Sequence, residues 1–171
     1  MSSSKRKMIL DVHASSAKPL FAVLDGIPAE QLNWKPAPES RSIGDICRHL
    51  IRVDAWFLKR LGVPPVAGVA KPVTSEEISE GMRQIQRQVK EVVLDCGHDE
   101  ELFFERASLD GKDREQLGVA VLHMAQHYLY HLAQIIYLRR AQDRNWPSPH
   151  EDWDHATHVI GDYLLGMNEK T

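Results

Sequence analysis

Nine histidines stand in a chain of 171 residues, and three of them, His123, His127 and His131, recur at i, i+4 and i+8. In a helix that spacing stacks the three side chains along one face. Two imidazoles one turn apart can grip one ion, and neutral imidazole suits Zn, Ni, Cu or Fe. Such a pair needs a third ligand from another element to complete a site. His49 is the natural candidate, because it lies midway along an apolar-patterned segment beside Ile46 and Val53 and can face the middle of the longer helix. Cys47 cannot share a site with His49, since a two-residue step turns the side chain through ~200°; it reads as core. The competing reading of each histidine is a core residue with a satisfied hydrogen bond, and H-x-x-x-H also arises by chance in a His-rich chain. Residue types alone leave both readings open.

The remaining chemistry-bearing residues read more plainly. His123 reads as an ordinary buried histidine rather than a donor to the site, and Asp45, one turn before His49, as a first-turn helix carboxylate. Tyr128, Tyr130 and Gln134 read as interhelical packing. His155 and His158, flanked by Asp152 and Asp154, read as a solvated polar face rather than a second metal site. His13, His98 and His150 have no organised partners in the sequence. No catalytic side chain is marked.

The elements that must position these residues are helical. A first helix is expected from Ser4 to Asp25, with Ile9, Val12, Phe21 and Leu24 on apolar spacing, Gly26-Ile27-Pro28 at its end, and Pro19 kinking or splitting it. A second runs from Ser42 to Gly62, with Ile43, Ile46, Leu50, Val53 and Phe57 as its buried stripe. Thr74-Ser75-Glu76-Glu77 is a capping box that opens a third, to Cys96. Residues 97–112 are polar and irregular, with room for a short strand around Leu102-Phe103-Phe104. Asp113 is expected to cap the longest helix, to Gln142, apolar nearly all round from Leu117 to Leu138. Ser148-Pro149-His150-Glu151 opens a last helix, to Gly166. The fold class is therefore all-α, an up-and-down type four-helix bundle with a short additional C-terminal helix, in a single domain over residues 1–171.

Composition narrows the function. Apolar residues make up 43% and charged residues 26%, with a net charge of -3, an ordinary globular balance with no basic footprint for nucleic acid. The only basic cluster is Lys5-Arg6-Lys7. Met8-Ile9-Leu10 is cut by Asp11 and His13, which excludes a signal-peptide core, and no run reaches the ~20 apolar residues of a membrane helix. Cys47 and Cys96 lie outside any C-x-x-C pattern and fit reduced thiols in a cytoplasm. Trp146 and Trp153, with Pro147 and Pro149, lie near the chain end, where they would form a homodimer surface or fold back as a lid over the site.

Two ordered segments carry a resemblance. Leu32-Asn33-Trp34-Lys35-Pro36-Ala37-Pro38 followed by Ser42-Ile43-Gly44-Asp45-Ile46-Cys47-Arg48-His49-Leu50, and later His123-Met124-Ala125-Gln126-His127-Tyr128-Leu129-Tyr130-His131-Leu132-Ala133-Gln134-Ile135, resemble the DinB/YfiT-like family of metal-binding four-helix bundles. Carried over position by position, the resemblance implies His49, His127 and His131 as metal ligands. The chain departs from the family where Arg41 stands in place of a frequent Trp, and where Leu132 and Ala133 replace a frequent basic and a small residue. Three neutral ligands leave an open coordination position, the pattern of catalytic rather than structural sites. One divalent ion is expected, Zn or Ni first, with Fe or Mn as alternatives. The resemblance further implies a small-molecule substrate and transfer or isomerisation chemistry with a low-molecular-weight thiol. A metal-dependent thiol S-transferase-like enzyme therefore ranks first, ahead of a metal-dependent hydrolase and of a metal- or ligand-binding module without turnover.

Overall fold

The structure, a computed structural model, describes residues 4–64 and 73–165. Its helices are α1 (Lys5–Leu24), α2 (Ala29–Asn33), α3 (Ile43–Arg60), α4 (Ser75–Leu94), α5 (Leu117–Gln142) and α6 (His150–Leu165). A 3₁₀ turn over Asp99–Phe103 leads into a small antiparallel hairpin, β1 (Glu105–Ala107) against β2 (Arg114–Gln116), with Arg106 opposite Glu115. The protein is an all-α bundle of the four helices α1, α3, α4 and α5. Both α1 and α3 pack on α4 and α5, so the first and second long helices stand across a diagonal, and α6 lies along α1 outside the ring.

Local sequence sets the helix ends that matter for the site. Ser42 and Asp45 form a reciprocal capping box at the start of α3, with Ser42 Oγ accepting from Asp45 N at 3.1 Å and Asp45 Oδ2 accepting from Ser42 N at 3.2 Å. Thr74 and Glu77 do the same for α4. Leu20, Leu50, Ile78, Ile85, Met124 and Ile135 from all four helices are essentially inaccessible and fill the centre. Truncating one of them, such as Leu50, to Ala costs about 2–5 kcal/mol. The far end of α3 is tied down as well. Gly62 turns the chain with φ +78°, a conformation that suits glycine, and a Cβ there would meet the Ala107 carbonyl oxygen at 2.9 Å. Arg60 reaches Asp113 at 3.0 Å and Glu115 at 3.2 Å, which fastens the hairpin to α3.

Four boundaries differ from expectation. Pro19 does not split α1, which continues to Leu24. Asp113 does not cap the longest helix: residues 114–116 pair with β1 and α5 opens only at Leu117, with Gln116 making no side-chain cap. The pairing removes the three residues that would have formed the first helical turn. The last helix begins at His150, after the expected start, and at 16 residues is not short; the expected end at Gly166 falls outside the described residues. The five-residue α2 had no signal beyond Leu32 on its buried side.

Candidate metal centre

His49 projects from the middle of α3, and His127 and His131 from successive turns of α5, into the seam where those helices pack. One nitrogen from each lies within 4.8 Å of the other two. Ring centroids stand 4.5 Å apart for His127–His131, 5.2 Å for His49–His127 and 5.1 Å for His49–His131. The Nε2 atoms of His127 and His131 are 2.9 Å apart. Two imidazoles on one tetrahedral ion with N at ~2.0–2.1 Å from the metal would sit ~3.3 Å apart, so the donor set needs only a small ring adjustment to hold one.

The surroundings favour the lone-pair form that a metal takes. His131 is 4% exposed, and its Nδ1–H donates to Gln134 Oε1 at 2.8 Å, which puts its lone pair on Nε2, the atom facing His127. His127 Nδ1 is buried and has no hydrogen-bond partner among the described residues. Burial is the first cause holding all three imidazoles below the ordinary range, and His127 is lowered to about 4, with its histidine neighbours adding to the effect. The Arg41 charge acts in the same direction on His49 and His131, and Arg52 on His49. No carboxylate or thiolate joins the cluster among the described residues, so the donor set is three neutral nitrogens with no fourth protein ligand.

The structure sorts the other candidates. Asp45 does not touch His49: besides its cap it accepts from Arg48 at 2.8 Å and pairs with Lys35 at 2.9 Å, and those cations hold its carboxyl well below the usual range. His123 is exposed, contrary to expectation, with its ring 4.8 Å from Phe57 and 6.3 Å from His127; the side of α5 that it occupies turns outward. Gln134 is more than packing, since it orients His131. Tyr130 is exposed and sets its ring edge 4.9 Å from His131. His155 and His158 lie on an exposed face, as expected. Cys47 is fully buried in the core, and burial pushes its thiol up to about 12. Trp146 packs against the core under Arg139, 4.7 Å from the guanidinium, while Trp153 is exposed.

One group was missed. His13, which showed no organised partner in the sequence, is buried 3.3 Å from Tyr128 Oη, and Tyr128 donates to Asp54 Oδ2 at 2.6 Å. Three helices thus meet in one buried polar chain beside the metal-ligand face of α5. Tyr128 follows His127 directly, so this chain fixes the rotation of the helix that carries two of the candidate ligands.

Comparison with known proteins agrees with this geometry. The DinB superfamily profile matches residues 16–135, a span that contains all three histidines. The fold is similar to the 1.70 Å crystal structure of a candidate member of the DinB family from Exiguobacterium sibiricum 255-15, with a TM-score of 0.61 and 17% identity, covering 84% of this chain and 96% of that one. No curated protein matches the chain. With a match over most of its length and the same bundle, the chain belongs to the DinB superfamily.

Proposed function

We propose that the protein is a metal-dependent enzyme that holds one divalent ion, Zn or Ni by preference, on His49, His127 and His131, and adds a low-molecular-weight thiol to an electrophilic small molecule. The observation that carries this reading is the donor set: three neutral imidazoles from two helices, within 4.8 Å of one another and without a fourth protein ligand among the described residues. A closed set of four is the mark of a structural site, and three leave a position for a reactant. When bound, such an ion supplies Lewis acidity that makes a water or thiol a nucleophile near neutral pH.

The chain's own residues supply the rest. Gln134 fixes the tautomer and ring plane of His131, and burial keeps the imidazoles unprotonated. Neither cysteine offers a nucleophile, since both are buried and the Cys47 thiol is held protonated. The thiol must therefore come from outside. Metal-loaded protein is incubated with cysteine, glutathione and coenzyme A, each with 1-chloro-2,4-dinitrobenzene, and thiol consumption is followed. Acceleration over the free ion with at least one thiol, lost in His127→Ala, is expected. No acceleration with any thiol, together with metal-dependent cleavage of p-nitrophenyl acetate, would replace this reading with hydrolysis.

A further inference from the structure

A cleft of about 540 Å³ opens between the loop that precedes α3 and the outer face of α5, one side chain away from His131. Gln134 lines it and at the same time holds His131 Nδ1 at 2.8 Å, so the cleft and the candidate metal centre share a wall. Ile46, Tyr137 and Leu138 give it apolar surface, and among the described residues Arg41 is the only charged one of its lining, with no carboxylate.

Arg41 differs from the basic residues nearest to it. Lys35 and Arg48 are both committed to Asp45, at 2.9 and 2.8 Å, whereas Arg41 is exposed and makes no ion pair with any described residue. Its charge lies close enough to act on His49 and His131. A divalent ion on three neutral ligands would leave two positive charges uncompensated, and Arg41 adds a third at the cleft. The guanidinium presents paired donors that match a carboxylate. Only an anionic ligand balances this wall.

We infer that this cleft is the substrate site and that Arg41 takes the carboxylate of a small organic acid whose other end reaches the three histidines, its carbon body lying on Ile46 and Tyr137. The inference rests on the metal centre proposed above and adds the charge class of the substrate. It makes Arg41 a specificity-determining residue of this chain.

The test uses the full chain loaded with Co(II), whose thiolate charge-transfer absorption reports binding at the ion, and two thiols of matched length, 3-mercaptopropionate and 3-mercapto-1-propanol. The wild type is expected to bind the carboxylate about tenfold more tightly, the scale of one charge-assisted pair at a partly exposed site. Arg41→Gln is expected to bring the ratio close to one by weakening only the carboxylate, while Arg41→Lys keeps part of the preference. Equal affinities in the wild type, or a preference that survives Arg41→Gln, would overturn the role of Arg41 with the metal centre intact. Failure of the wild type to retain cobalt, or retention unchanged in His127→Ala, would overturn the metal centre and this inference with it.

Discussion

Replacing Asp54 by Asn tests the buried polar chain that braces the ligand-bearing helix. Asp54 is 2% exposed; Oδ2 accepts from Tyr128, and Oδ1 has no hydrogen-bond partner among the described residues. Burial pushes its carboxyl up to about 8, against the opposing pull of the Tyr128 hydrogen bond. A group whose pKa is higher folded than unfolded holds an extra proton in the native state between the two values. Its stability is therefore full below the unfolded value of 3.8 and is lost as pH rises towards 8. At pH 7 the accumulated loss is about 4 kcal/mol, at about 1.4 kcal/mol per unit. His13 works in the opposite direction: burial lowers it to about 4, so its share of stability is lost as pH falls from 6.5 to 4, and in that window the two slopes offset one another. His49, His127 and His131 are also held below the ordinary range and add slope of the same sign as His13, so the Asp54 effect is read as a difference: from pH 6.5 to 8, urea unfolding of the metal-free wild type should lose about 1–2 kcal/mol relative to Asp54→Asn. At pH 7 the variant should be at least as stable as the wild type, since the ~1–3 kcal/mol cost of an unsatisfied amide is smaller than the penalty it removes. Stabilities of wild type and variant that change in parallel from pH 6.5 to 8 would refute the reasoning.

Two further outcomes follow from side chains around the centre. Gln134→Leu removes the acceptor that orients His131 and should weaken metal binding by about 10–100-fold, read by competition with a chromophoric chelator, while thermal unfolding of the metal-free protein moves little. The native chain should react with Ellman's reagent no faster than it unfolds and then release two thiols, because Cys47 and Cys96 are both buried; a fast native thiol would contradict the placement of Cys47 in the core.

The helices and the His127–His131 pair were legible because each is encoded locally, whereas His49 as third ligand was implied by the family resemblance. A 3.6-residue apolar stripe marks α3, and four-residue spacing alone puts His127 and His131 on one face. The Thr74–Glu77 box states the start of α4 in four residues. What escaped depends on partners distant in sequence. His13 and Tyr128 are 115 positions apart and Tyr128 and Asp54 are 74 apart, so nothing local to any of them announces the network. The start of α5 was misplaced for the same reason: Asp113 is a sound cap in isolation, and only the pairing of Arg114–Gln116 with Glu105–Ala107 withdraws those residues from the helix. His123 shows the reverse limit. The ladder of three histidines is regular in sequence, but a step of eight residues drifts around the helix, so that His123 meets Phe57 of α3 rather than His49 and stays exposed.

The central claim is that His49, His127 and His131 hold one divalent ion together. Calorimetric titration of Zn(II) into the metal-free, untagged chain, repeated with His49→Ala, His127→Ala and His131→Ala, tests it most directly. One ion per wild-type chain, with affinity lost in each variant whose fold is intact by circular dichroism, is the predicted result. A wild type that binds no zinc or nickel, or one ion per chain bound unchanged by His127→Ala, would contradict it.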